Sequence, residues 1–343
     1  MDKHGAAALG WGLAAALGCA PHDPDLRPSP VHTPQRTAVS LPETGAVREL
    51  FTTEPFRDRL PQAPADLVIH YGGESHGSLE TCGCPTRPRG SLARFAGYAT
   101  AADIALPTPS IRVNTGYFLT DGVDYAGQLI GDAAVKNQWM ARGAAAARFD
   151  ALNVSAHDIA GFAASPPEGS LPWVSANVSG PGVAKWVIVE RGGHTIGITG
   201  ITGPAASMAD TSAWPIAPPA AAIPTLRDLA QRVDLVVLLA WNANDAVRSL
   251  VAAVPGVDVV LDAGLYADAL PPVLKNGTLW TFSEYQLVRA GELRLRVESG
   301  TVVAALDRHI DLDDAVPDDP SVGAVAADAL IDIDQTQRKL FSE

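Results

Sequence analysis

Apolar residues fall in short blocks separated by Ala-rich stretches of helical spacing. Residues 66–71 (Asp-Leu-Val-Ile-His-Tyr) form the first block and run into a Gly pair, which predicts a buried strand entering a loop. Comparable runs predict strands over 111–114, 151–154, 173–178, 234–240 and 257–261. Segments 185–190 and 195–199 are β-rich, and Arg191-Gly192-Gly193-His194 between them signals a hairpin. Residues 279–284, 289–297 and 301–306 alternate as half-buried strands do, with Ser299-Gly300 turning the last pair. Helical spacing covers 91–104, 132–149 and 226–232. A further helix ends at Ala253, and Asn244 is placed to cap it by accepting from the first free amides. Residues 311–319 read as a solvated acidic linker, and 321–340 as a helix packed on the body or a frayed tail. Continuous apolar strands between helices are covered on both faces. The expected fold is therefore α/β, a two-sheet α/β sandwich with helices on both outer faces.

Composition supports a packed body. Apolar residues are 47% of the chain and charged residues 18%, which excludes a disordered protein. The 31 Gly and 27 Pro show no collagen period. Lys plus Arg is 25 against 38 Asp plus Glu, a net charge of −13. Such a surface repels phosphate backbones, so no nucleic-acid partner is expected. Beyond the N-terminus no apolar run approaches the ~20 residues of a membrane span.

The N-terminus reads as an address. Lys3 and His4 precede a soft apolar run over 5–17 that ends at Gly18-Cys19, as a secretory signal does. Ala16-Leu17-Gly18-Cys19 resembles a bacterial lipoprotein signal, in which cleavage precedes the Cys and the Cys is lipidated. Ala16 stands where that family usually has Leu. An ordinary signal or a short buried helix is the plainer alternative. The expected organisation is a signal over 1–19, a Pro-rich tether over 20–62, a folded body over 63–310, and an acidic linker with a helix over 311–343. Acyl chains on Cys19 would make a membrane the first partner and the periplasmic side of a bacterial envelope the location. An envelope protein is the second partner to expect.

The order of segments over 64–308 resembles the metallophosphoesterase domain of the 5′-nucleotidase family. Residues 70–77 followed by Ser78-Leu79-Glu80 are similar to that family's opening strand and loop. Gly90-Ser91-Leu92-Ala93-Arg94 is similar to its first helix start, and Asn114-Thr115-Gly116 to its second strand end. Ser155-Ala156-His157-Asp158 stands at its Gly-Asn-His-Glu, and 173–178 at its Ser-Ala-Asn strand. Residues 196–202, 234–242, Pro255-Gly256-Val257-Asp258 and Gly291-Glu292-Leu293 continue the correspondence. Nothing in the sequence resembles the C-terminal substrate-binding domain of the nucleotidases. The Glu-x-Cys-Gly-Cys loop resembles one in secreted lipoproteins of the same superfamily that lack full ligand sets.

The resemblance implies a sandwich of the metallophosphoesterase type and shows where its two cations would sit. Two cations about 3.5–4 Å apart clamp the attacking and leaving oxygens in such enzymes. The opening Asp-x-His becomes Glu74-Ser75-His76, which keeps a carboxylate and an imidazole. The bridging Asp becomes Tyr117, and the Asn of Asn-His-Glu becomes Ala156. The next His becomes Trp241, and the closing His-x-His becomes Gly264-Leu265-Tyr266. Two close divalent cations repel strongly without a bridging carboxylate. The expectation is a degenerate centre with no cofactor, or at most one divalent metal ion on Glu74 and His76, with His157 near them.

Other chemistry remains open around that loop. His157 and Asp158 are the candidate catalytic pair, and Glu74 with Asp158 could form an acid/base pair of carboxylates. Cys82-Gly83-Cys84 could be a tight disulfide, a thiolate metal site with His76 and His157, or a redox pair for a partner. Covalent haem lacks its Cys-x-x-Cys-His. Arg87, Arg89 and Arg94 could hold an anion, although a surface role suits them as well. His70 reads as a satisfied core or rim histidine, and His194 and His309 as exposed. The function expected is a binding or scaffold protein of the envelope. A phosphoester hydrolase with a reduced metal site and a Cys-Gly-Cys redox or metal-handling module are the alternatives.

Overall fold

Most of the strands are buried along their whole length, as sheets covered on both faces require, and they form two sheets. The computed structural model describes residues 48–49, 55–81, 88–122, 131–164, 171–203, 212–263, 273–275, 277–340 and 342. In chain order the strands are β1 (Arg48–Glu49), β2 (Leu67–Gly72), β3 (Ser110–Asn114), β4 (Ala151–Asn153), β5 (Trp173–Val174), β6 (Val187–Arg191) and β7 (His194–Thr202). They continue with β8 (Leu235–Trp241), β9 (Val259–Ala263), β10 (Val273–Lys275), β11 (Thr278–Phe282), β12 (Arg289–Glu298) and β13 (Thr301–Asp311). The helices are α1 (Leu92–Ala105), α2 (Ala133–Ala147), α3 (Ala156–Ala164), α4 (Ile223–Ala230), α5 (Asn244–Ala253) and α6 (Pro320–Leu340).

One sheet has the order β1-β13-β12-β2-β3-β4-β5 and the other β10-β11-β9-β8-β7-β6. Strands β2 to β5 run parallel, as do β7, β8, β9 and β11, while β12, β13, β10 and β6 pair antiparallel. Between the sheets lie Leu67, Ile69, Ile111, Val113, Ile198, Val237, Leu261 and Leu293 with their neighbours. The outer face of the first sheet packs Phe95, Tyr98, Met140 and Phe162 from α1, α2 and α3, together with Val322 and Ala329 of α6. The outer face of the second packs Leu226, Leu229, Val247 and Leu250 from α4 and α5. The expected two-sheet α/β sandwich with helices on both outer faces is therefore the observed architecture.

Several expectations need correction. The last strand runs on to Asp311 rather than ending at 306, and His309 is 2% exposed, not a surface residue. Asp307 and His309 point inward and find partners there. Tyr71 Oη donates to Asp307 Oδ1 at 2.8 Å, and His309 Nδ1 stands 3.0 Å from Glu284 Oε1. The acidic stretch is solvated only in part, at Asp314, Ala315, Pro317 and Asp318. Asp311 is bonded by Arg289 Nε at 2.7 Å, Asp313 by Arg59 at 2.8 Å, and Leu312 and Val316 are buried. Arg59 itself is buried, in a 3₁₀ turn over Phe56–Arg59, so the folded body includes residues ahead of 63. The segment 173–178 forms a strand only over Trp173–Val174. Helix α3 carries no strong periodic signal and is new. Ala243, not Asn244, holds the cap position of α5. The hairpin at Gly192-Gly193 forms as expected, but His194 is half-buried.

Candidate functional site

The loops that leave the carboxyl ends of β2, β3, β4 and β8 meet at one end of the sandwich, where ligands of open α/β sheets bind. Backbone bonds join the first two. Glu74 N–H donates to Gly116 O at 2.9 Å, His76 N–H to Tyr117 O at 3.0 Å, and Gly77 N–H to Phe118 O at 3.0 Å. Below them Asn114 Nδ2 donates to Ser75 Oγ at 3.2 Å, and its Oδ1 accepts from Gly116 N–H at 2.9 Å. Glu74, His76 and Tyr117 all take positive φ, near 50°. For side chains other than glycine this is a disfavoured conformation that persists where the surroundings over-determine it.

Tyr117 occupies the centre. Its ring is stacked between the His76 imidazole at 3.8 Å and the His157 imidazole at 4.0 Å. Trp241 meets His157 and Tyr117 edge-on at 5.2 and 6.4 Å, and Tyr285 meets His76 edge-on at 4.6 Å. Each imidazole also has a carboxylate. His76 Nε2 is 2.8 Å from Glu74 Oε2, whose other oxygen accepts from Trp241 Nε1–H at 2.5 Å. His157 Nδ1 is 2.5 Å from Asp121 Oδ2, and Tyr117 Oη donates to Asp121 Oδ1 at 2.6 Å. Burial first, then the Asp121 carboxylate, push the Tyr117 phenol well above its usual range, so it remains a neutral donor. The His157 bond, more than the opposing burial, holds Asp121 below the usual carboxylate range.

The candidate pair His157 and Asp158 separates into two roles. Asp158 is fully buried and its carboxylate is spent on the fold. It accepts from the N–H groups of Tyr117, Phe118, Leu119 and Ser155 at 3.0, 2.9, 2.8 and 2.8 Å, and from Ser155 Oγ at 2.7 Å. Burial raises its carboxyl against those bonds. It shapes the loop that presents Tyr117, and its saturated oxygens are not placed to exchange a proton with a ligand or to pair with Glu74. Ala156 is buried at the start of α3. Arg94 donates to the carbonyls of Pro88 and Leu312 at 3.0 and 3.1 Å, and Arg89 pairs with Asp311 at 3.5 Å, so both are tied to the body rather than to an anion. His70 is a fully buried histidine that is satisfied only in part: Nε2 is 3.0 Å from Asp103 Oδ1, and Nδ1 has no hydrogen-bond partner among the described residues. Asp121 and Tyr285 escaped the sequence reading. A carboxylate four residues after Tyr117 in the same loop was the available signal for the first. Cys19, Cys82, Cys84, Arg87, Gly264 and Tyr266 lie outside the described residues.

A pair of cations needs several donors on a shared point. Among the described residues no group of three or more His, Cys, Asp or Glu converges in that way. The donors stand in two His–carboxylate pairs, and the Tyr117 ring lies between the imidazoles. Among the described residues, this donor set does not fit a two-metal centre.

Comparison with known proteins supports the architecture alone. No protein-family profile and no curated protein matches the chain. Among solved structures, the sulfate thiohydrolase SoxB of Thermus thermophilus superposes with a TM-score of 0.63 at 12% identity, over 79% of this chain and 61% of that one. A 5′-nucleotidase precursor, also from Thermus thermophilus, gives 0.60 at 18% identity, over 81% and 60%. The calcineurin-like phosphoesterase YfkN from Bacillus subtilis gives 0.58 at 14%, over 80% of this chain and 99% of that chain. The chain thus spans about three-fifths of the length of the first two. Its two mixed sheets with their helices have the calcineurin-like phosphoesterase fold.

Proposed function

We propose that this chain is an exported, lipid-anchored envelope protein that keeps a 5′-nucleotidase-like phosphoesterase fold as a non-catalytic binding scaffold. One observation carries the reading: the Tyr117 ring is stacked between His76 and His157, in the space where the resemblance puts the bridging carboxylate. Both imidazoles already hold a carboxylate partner, so capturing a cation would break two short hydrogen bonds and the stack. Fold does not carry activity once the site has changed. The lipoprotein-like ending at Cys19 supports the location.

The test is turnover of p-nitrophenyl phosphate and AMP by the purified chain with added manganese or zinc, alongside calorimetric titration of each metal. The scaffold reading expects no turnover above the buffer blank and no tight binding. Turnover abolished by His76→Ala would instead establish a hydrolase with one metal on Glu74, His76 and His157. Fractionation of cells expressing Cys19→Ser tests the anchor, and the variant is expected to leave the membrane pellet.

A further inference from the structure

The row of rings in the cleft has spent its hydrogen-bond donors and kept acceptors to spare. Trp241 Nε1–H goes to Glu74 Oε1 at 2.5 Å, and Tyr117 Oη–H to Asp121 Oδ1 at 2.6 Å. Each imidazole turns one nitrogen to a carboxylate, His76 through Nε2 at 2.8 Å and His157 through Nδ1 at 2.5 Å. The carboxylate takes the N–H, so in the neutral ring the other nitrogen is a bare acceptor. Those nitrogens, His76 Nδ1 and His157 Nε2, make no hydrogen bond among the described residues, and neither is sealed from solvent. A carboxylate offers about four lone pairs, and each Asp121 oxygen has one side-chain partner. The side chains of His76, His157 and Asp121 are 19, 22 and 30% exposed, so a ligand can reach them. It must bring donors and positive charge, which a chain of net charge −13 attracts.

We infer that the cleft binds a guanidinium group laid across this row, with Asp121 as its counter-ion and the bare nitrogens of His76 and His157 as its acceptors. The inference rests on the scaffold reading, since a metal would claim the same imidazoles. Spacing selects the cation. The Tyr117 ring lies 3.8 Å from one imidazole and 4.0 Å from the other, so the two acceptors are held apart on its opposite sides. Metal–imidazole bonds of about 2 Å do not let one ion reach both. A guanidinium spreads five N–H donors over a flat fork, whereas an ammonium presents three from a single atom. Its weak hydration and planar face also suit aromatic surroundings. Neither the Glu74–His76 bond nor the Asp121–His157 bond has to break for it to enter.

Titration of the full chain with ethylguanidinium at pH 8, above the ordinary imidazole range, tests this through the ring-nitrogen NMR signals of His76 and His157. Both signals are expected to move to saturation, while tetramethylammonium, a cation without N–H donors, moves neither. Asp121→Asn keeps the shape of the side chain and removes its charge, and is expected to weaken binding at least tenfold. His157→Phe keeps a ring in the stack without its nitrogens, and is expected to weaken binding several-fold. A blocked pentapeptide with a central arginine is expected to bind, and the same peptide with citrulline, which loses the charge, is not. Tighter binding of the arginine peptide than of ethylguanidinium assigns the group to a protein partner, and the reverse order assigns it to a free small molecule. No shift with either guanidinium probe, equal shifts with tetramethylammonium or citrulline, or full affinity in either folded variant overturns the inference. Metal-dependent turnover of p-nitrophenyl phosphate overturns the scaffold reading instead, so the two failures are told apart.

Discussion

Asp158 shows how much one side chain can organise. Four backbone N–H groups and one hydroxyl converge on its two oxygens, and bonds of this charge-assisted kind contribute about 1.5–3 kcal/mol each when broken singly. Asp158→Asn replaces one acceptor oxygen with a donor that faces other donors. It is expected to lower stability by about 3 kcal/mol in urea unfolding, a loss that the measured midpoint and slope will check. Asp262, near the end of β9, is a different case. It is buried and accepts one hydrogen bond, from Ala263 N–H at 2.9 Å, and burial pushes its carboxyl up to about 7. An unfolded Asp titrates near 3.9, so the folded chain keeps a proton that the unfolded chain has already released. The stability this group contributes is present in acid and is lost as pH rises from about 4 to about 7. Asp262→Asn is expected to match the parent at pH 4 and to exceed it at pH 8 by about 2–4 kcal/mol, at roughly 1.4 kcal/mol per unit. Urea midpoints measured across pH would show that crossover or its absence.

At the level of elements, strand identity was legible wherever both faces are apolar. Strand β8, buried at every position, reads as a strand from its composition alone. The sequence pattern ends β13 early because Asp307, His309 and Asp311 look like surface residues. They are inside because Tyr71, Glu284 and Arg289 meet them, and those partners lie far away in sequence. No local pattern encodes such pairing. The same network depends on a glycine. A Cβ at Gly291 would stand 2.1 Å from the Tyr71 ring, whose hydroxyl reaches Asp307 only by lying flat against β12. Gly291→Ala is expected to cost about 2 kcal/mol through overpacking, and thermal melting of the variant provides the check. The candidate site was legible only through its resemblance to a family. Position alone brought Glu74, His76, Tyr117, His157 and Trp241 together. That Tyr117 would sit face to face with two imidazoles depends on the positive φ of the loops, which residue types do not announce.

For the molecule as a whole, the cleft is held from beneath. The loops after β2 and β3 are zipped to one another by backbone bonds and gripped by Asp158, all within the chain. These bonds lie within the protein itself, so prolonged dialysis against a chelator is expected to leave the melting temperature where it was, and a fall of several degrees would reveal a structural cation. The stacked rings have a further consequence for association. Whatever meets Tyr285 and Asp121 encounters a surface whose conformational freedom was surrendered at folding. The entropic cost of ordering it does not fall on the encounter, so a modest contact area can suffice for recognition.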